Sequence, residues 1–498
     1  MEWTTAQTKA IEDRGHTLLV SAGAGAGKTS CLTERIARRL VSKGKYDENG
    51  VELGYDINDI LVVTFTKAAA ADIKEKLYKN LAKRLAETPD DRGLFAQLMG
   101  VGTARISTIH SFCLDLIKDN FQKLDVSPSV RVLDDTEGVQ LKKKLQKKIL
   151  DDRYESEDPD FLEFVESFTS LNNDAPLEEM LLEIYNKLRS FPDPFEWLER
   201  MIVDLEKETD FDELYDSKLG IRLKKIKNKY LESIFELLDE AKEIAEAVSN
   251  PAYYNHFAYH EAACETLRNS ESYDASRQAF SYKPSNLYTR GLDEDDAARL
   301  RFLKSEISDN KLQKLAAFYE NDSEAVRDEL KRTVKTMRLI QSLEIELDRS
   351  FREKKRELGV LDYSDLEHYT LELLREADGS DSEICLSLRE SLREIYIDEY
   401  QDINPLQDEI FRRIRKKNNC FMVGDVKQSI YRFRNAEPSI FMGYNDSFPK
   451  LEDAEDEAKL YLSENFRSSR NIINYVNEIF RKTYTAENGA SGYGDEEA

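Results

Sequence analysis

The sequence predicts an α/β fold: a parallel sheet with helices on both faces, interrupted by a large, mostly α-helical insertion. Three observations carry this. A loop of alternating small residues, Ser21-Ala-Gly-Ala-Gly-Ala-Gly-Lys-Thr29, lies between an apolar run, Thr17–Val20, and a helical pattern, Ser30–Val41. Other short apolar runs end in polar residues, at Asp59–Thr66, Ala104–Cys113, Glu394–Asp398 and Asn419–Asp425, as buried parallel strands do. Between Leu114 and about Leu358 the apolar spacing turns helical and charge runs dominate.

The loop has the context of a phosphate-binding site. Small residues let Ala22, Gly23, Ala24, Gly25, Ala26 and Gly27 curl so that several N–H groups face one anion. The helix that follows adds its positive end. Lys28 is expected to reach terminal phosphates, the Thr29 hydroxyl to ligate magnesium, and Ser30 to complete the loop. Ala22 stands where the general pattern has Gly. Upstream, Gln7 precedes a helix expected over Thr8–Arg14; its amide offers a donor and an acceptor to an adenine edge.

Ligands collect at the carboxyl ends of strands in such sheets, which draws attention to Thr64, Phe65 and Thr66. Phe65 is either a base-stacking surface or a core aromatic. Ala104–Cys113 reads as a strand with a polar end, where Thr108, His110 and Ser111 either donate to a phosphate backbone or, for His110, serve the structure. At Val360–Leu366 a helix start is expected, capped by Ser364 or Asp365. The strand Glu394–Ile397 ends in Asp398 and Glu399. Asp398 is suited to hold magnesium and Glu399 to deprotonate an attacking water, the two roles that phosphoryl transfer to water needs side by side. After Asp425, basic and aromatic residues interleave at Lys427, Tyr431, Arg432, Phe433 and Arg434, a pattern for unstacked bases and phosphates. Gln428 is placed to sense a terminal phosphate. Farther on, Phe466 is a candidate stacking surface and Arg467 a candidate charge stabiliser. A last helix is expected over Asn471–Tyr484, followed by a tail with no apolar pattern.

Net charge is −25, from 72 Lys and Arg against 97 Asp and Glu, which argues against nucleic acid if taken alone. The distribution reverses this locally: Phe411–Ala436 holds eight basic residues and one acid. Five scattered cysteines, without a C-x-x-C pair, argue against a disulfide framework or zinc site and for a reducing, cytoplasmic compartment. The N-terminal residues lack a signal pattern, and no apolar run approaches a membrane span.

Taken together, Ala22–Thr29, Thr64–Thr66, Ser107–Phe112, Asp398–Asp402, Val423–Arg434 and Asn465–Ser468 resemble the UvrD/Rep branch of superfamily 1 helicases. Within it, Leu361–Leu366, Gly424–Arg434 and Ser190–Trp197 are most similar to the AddA component of AddAB helicase-nucleases, with RecB more distant. The resemblance implies a RecA-like motor lobe over residues 1–115 and again 356–480, a 1B-like insertion over 116–355, and the start of a second lobe from 481. It implies an ATP- and Mg2+-dependent, 3′-to-5′ DNA helicase of double-strand-break repair and recombination, working on DNA ends with an AddB-like partner. By the same likeness, Gln7 and Phe466 flank adenine, Lys28, Gln428 and Arg467 face the terminal phosphate, and Thr64, Phe65, Thr66, His110, Tyr431, Phe433 and Arg434 line single-stranded DNA. Lys67 and Asn435 depart from the usual residues. The second lobe and the nuclease domain have no counterpart in these 498 residues. The expectation is therefore an N-terminal part of the architecture, whose narrower alternative is a catalytically weak ATP- and single-stranded-DNA-binding module.

Overall fold

The computed structural model describes residues 2–48, 50, 52–124, 126–127, 129–169, 173–247, 251–280, 287–289 and 292–483. The chain divides into two compact units. The first comprises Met1–Glu157, Phe168–Pro194 and Glu346–Ala498; the second comprises Asp158–Ser167 and Phe195–Ile345. Residues 116–157, 168–194 and 346–355, grouped with the insertion on sequence, thus gather in the first unit. The expected tail after Tyr484, and Tyr484 itself, lie outside the described residues.

The first unit is built on a six-stranded sheet. Its strands are β1 (Thr17–Ala22), β2 (Ile60–Thr64), β3 (Ile106–Thr108), β6 (Glu394–Asp398), β7 (Cys420–Gly424) and β8 (Glu457–Leu462). A two-residue ladder joins β4 (Arg131–Val132) to β5 (Val360–Leu361). The order in the large sheet is β3-β2-β6-β7-β1-β8, and every pairing is parallel. Alternation along the strands feeds two cores. Leu18, Val20, Ile60, Val62, Tyr396, Phe421 and Val423 face one layer, with Leu32, Ile36, Ile73 and Leu77 from the helices there. Leu19, Leu61, Val63, Ile395, Ile397 and Met422 face the other, with Phe112, Ile117, Leu371, Ile410 and Phe441. Both faces are covered, which is why these strands read as continuous apolar runs.

Five helices flank the early strands: α1 (Thr5–Glu12), α2 (Lys28–Val41), α3 (Lys67–Glu87), α4 (Arg92–Gly100) and α5 (Ile109–Asp119). Several boundaries differ from expectation. α1 starts at Thr5 because Thr4 and Gln7 form a capping box. α2 starts at Lys28, two residues early, directly on Gly27. Ala104–Cys113 is not one strand: Thr108 accepts from the Ser111 N–H and caps α5, so His110 and Ser111 belong to a helical turn. The helix Tyr363–Leu374 is capped by Asp362, not by Ser364 or Asp365; Asp362 and Asp365 bond each other's backbone N–H groups. β8, at the sheet edge, has no counterpart among the expected strands.

The second unit is helical. Its core gathers Leu231, Ile234 and Leu238 of the helix Lys218–Ala247 with Phe257, Leu300 and Leu315. Lys227 is buried there, its ammonium donating to the Leu267 and Ser270 carbonyls at 3.0 and 3.2 Å; burial lowers its pKa to about 8.

Candidate nucleotide and nucleic-acid site

The loop after β1 turns on two glycines, Gly25 at φ +81° and Gly27 at φ +84°. Both sit in the left-handed region that a side chain disfavours. Gly25 is also crowded: a Cβ there would lie 2.8 Å from Arg467 Cβ and from Asn465 Oδ1. Gly27 offers no side-chain acceptor to the first turn of α2, so that helix end presents backbone N–H groups to an anion.

The acidic pair comes from β6. Strand β7 lies between β1 and β6, which sets β6 about 10 Å from β1, two strand spacings. Lys28 spans that gap, its Nζ 3.1 Å from Glu399 Oε2. Glu399 holds φ +54°, a left-handed backbone for a non-glycine residue. Asp398 is buried and accepts the Glu399 N–H at 3.1 Å. Burial, and then the charge of Glu399, push its carboxyl up to about 6, against partial relief from Lys28. A buried, underneutralised carboxylate with a threonine hydroxyl at the head of α2 is a hard-oxygen set that suits magnesium, which favours one or two carboxylates alongside phosphate and water.

Gln7 is buried, with its amide engaged on both sides. Its Oε1 accepts from the Thr4 N–H at 3.0 Å and its Nε2 donates to the Ala26 carbonyl at 3.0 Å. One hydrogen and one lone pair remain for an adenine. Asn465, Phe466 and Arg467 dock on the loop backbone: Asn465 Nδ2 donates to the Ala24 carbonyl at 2.6 Å and the Phe466 N–H to the Gly25 carbonyl at 3.0 Å. The Phe466 ring is 59% exposed and Arg467 is exposed. Gln428 donates to Asp425 Oδ2 at 2.7 Å.

An aromatic cluster forms across two strand ends. The rings of Phe65 and Tyr431 lie 4.4 Å apart, and Tyr431 and Phe433 5.8 Å apart. The Arg434 guanidinium lies 5.8 Å from each of these three rings. Phe433 is 76% exposed, so the cluster presents stacking surface rather than core. The other residues expected beside it have their own local partners. Thr64 is buried and donates its hydroxyl to the Thr66 carbonyl; Thr66 caps α3. His110 Nε2 lies 3.0 Å from Glu367 Oε1, and its ring 5.0 Å from that of Tyr363. Asn435 sits at φ +64°, a conformation asparagine tolerates better than other side-chain-bearing residues, and donates to the Asn186 carbonyl.

Sequence reasoning misses the residues that join these groups. Gln401, Asp402 and Ser429 connect the ends of β6 and β7, and Gly424 allows their close approach. The visible signal is a glutamine two residues after the acidic pair and directly before a third acid.

The UvrD/REP helicase N-terminal domain matches residues 3–254 and 224–449. The chain belongs to the UvrD/REP helicase family. Curated relatives match along the whole chain. The protein named as the A-type subunit of an ATP-dependent helicase/nuclease from Thermoanaerobacter sp. (strain X514) is 34% identical over 520 residues, covering 100% of this chain and 40% of the relative. Proteins of the same name from Clostridium botulinum (strain Alaska E43 / Type E3) and Acetivibrio thermocellus are each 35% identical over 516 and 522 residues, with the same coverage. The chain thus spans about 40% of the length of these UvrD/REP relatives.

Proposed function

We propose that this chain is the ATP- and single-stranded-DNA-binding motor part of an AddA-like, ATP-dependent DNA helicase. The reading extends to translocation in double-strand-break repair and recombination, 3′-to-5′, with an AddB-like partner in the cytoplasm. The observation that carries it is the Lys28–Glu399 contact beside buried Asp398, with the Phe65–Tyr431–Phe433–Arg434 cluster built from the segments that follow β2 and β7, the strands on either side of β6. Residues 1–115 and 356–480 are read as the RecA-like first lobe, 116–355 as a 1B-like insertion, and 481 onward as the start of a second lobe.

In this reading the head of α2 and Lys28 bind the phosphates, with Gln7 and Phe466 beside the adenine. Thr29 and Asp398 hold Mg2+, which when bound neutralises charge on the phosphate oxygens. Glu399 takes the proton of a water that attacks the γ-phosphorus; the bond to the β-phosphate oxygen breaks and ADP leaves. Gln428 and Arg467 face the terminal phosphate. Because Lys28 sits against Glu399, an arriving phosphate competes for that ammonium and frees the carboxylate to act as a base. Phe65, Tyr431 and Phe433 stack on bases while Arg434 faces phosphate; Thr64, Thr66 and His110 flank that path.

ATP hydrolysis by the chain, with and without single-stranded DNA and with Lys28→Ala as the blank, tests the reading. DNA-stimulated turnover lost in Lys28→Ala supports it. Binding of both ligands without turnover supports the narrower binding module. Nucleotide affinity equal in wild type and Lys28→Ala sinks the assignment of the site.

A further inference from the structure

The amide of Gln401 is oriented by three bonds that fix which end is nitrogen. Its Nε2 donates to Glu399 Oε2 at 2.9 Å and to Asp402 Oδ2 at 3.2 Å, and its Oε1 accepts the backbone N–H of Asp425 at 2.9 Å. A flipped amide would set oxygen against two carboxylates and nitrogen against an N–H. Gln401 is 1% exposed, so these bonds face little competition from water.

Both flanks of this amide are engaged. Glu399 Oε2 is the atom that meets Lys28. Asp425 is buried; its carboxylate accepts from the Lys427 N–H at 3.1 Å and from Gln428 Nε2 at 2.7 Å, which sets the turn leading to Tyr431. Ser429 adds a second tie, its hydroxyl lying 3.3 Å from Asp402 Oδ1 and 3.4 Å from the Gln401 carbonyl. Gly424 leaves the room: a Cβ there would lie 2.3 Å from Gln401 Oε1 and 3.0 Å from the Phe441 ring.

We propose that Gln401 is a positioning residue that ties the orientation of Glu399 to the Asp425–Arg434 loop, so that nucleotide and single-stranded DNA are bound in a linked way. This rests on the functional reading above. When phosphate draws Lys28 from Glu399, the carboxylate is free to shift; the Gln401 amide follows it and pulls on the Asp425 N–H, at the root of the loop that carries Tyr431, Phe433 and Arg434. A coupling of this kind is reciprocal and usually amounts to about 5–150-fold in affinity.

The test measures single-stranded oligothymidylate affinity of the chain with and without a saturating non-hydrolysable ATP analogue and Mg2+. Wild type is expected to show a ratio of at least about fivefold. Gln401→Met keeps the side-chain length and removes all three bonds. It is expected to bring the ratio to near one, with each ligand's own affinity held within about twofold and DNA-free nucleotide binding intact. Gly424→Ala, which displaces the amide from the other side, should do the same, and keeps the test open if one variant folds poorly. A ratio near one in wild type, or a wild-type ratio in both variants, overturns the proposal. Failure of the underlying site is read separately: Lys28→Ala would then bind the analogue normally, or Tyr431→Ala would bind DNA normally.

Discussion

Strand β6 carries a carboxylate at each end, and their surroundings are opposite. At its start, Glu394 is buried among Arg35, whose Nη2 and Nε lie 2.6 and 2.7 Å from Oε1, Arg39, and the hydroxyls of Tyr55 and Tyr396 at 2.5 and 2.8 Å from Oε2. Burial raises its pKa, but the two arginines and the hydroxyls outweigh that and hold it low. At the other end, Asp398 is buried beside a second acid and is pushed up to about 6. Within one five-residue strand, one acid is fully compensated and the other is left wanting a cation. Side-chain type alone does not separate structural from chemical carboxylates; the charge supplied by neighbouring elements does.

The largest effect that tests this contrast is on turnover. Glu399→Gln is expected to cut ATP hydrolysis by about 10²–10⁴-fold while nucleotide affinity and the unfolding midpoint stay near wild type. A comparable loss of stability would make Glu399, the acid beside Asp398, a structural carboxylate like Glu394. Next, Glu394→Ala leaves Arg35 and Arg39 buried without their carboxylate and should cost about 3–5 kcal/mol in a urea titration. A third test uses pH, in EDTA. Because the folded pKa of Asp398 lies above its unfolded value, its ionised form weakens the fold at pH 7. Asp398→Asn is therefore expected to be more stable than wild type there, by up to about 2–3 kcal/mol, with the advantage shrinking as pH falls through 6 towards 4. For Glu394 the sign reverses: its folded pKa is depressed, so its stabilisation is present above about pH 4.5 and is lost as pH falls further. Parallel curves for Asp398→Asn and Glu394→Gln would contradict the assignment. Smaller again, Tyr431→Ala or Phe433→Ala should each weaken single-stranded DNA binding by about 1–3 kcal/mol without altering nucleotide affinity.

Much of the candidate site is legible in the sequence because the chemistry proposed for it is local. A phosphate loop needs its glycines and lysine together, and a metal acid and base need the end of one apolar strand, so Gly25–Thr29 and Asp398–Glu399 announce themselves within a few residues. The strand interiors, Leu18–Val20 or Ile395–Ile397, are plain for the same reason. What stays hidden depends on distant pairs. Arg35 and Glu394 are separated by 359 positions, and nothing local marks either as buried. Phe65 reads equally well as core until Tyr431 is found against it. At Ile106–Phe112 the apolar spacing suits a strand and a helix alike, and only the Thr108 cap decides where one yields to the other. β8 carries Lys459 among its apolar residues, as an edge strand can, and so gives a weak strand signal. Asp362 escapes notice because the better-looking hydroxyl, Ser364, lies two residues farther on, inside the helix.

The left-handed backbone of Glu399 has a consequence for how this protein can be improved. A non-glycine residue there carries about 1–2 kcal/mol of conformational strain that glycine would not. Selection for heat resistance alone would therefore favour replacing the very side chain proposed to act as the base. Under the proposed function, a library screened on folding would drift towards stable, inert proteins at this position, and any stabilised version must be sorted on turnover as well as on melting.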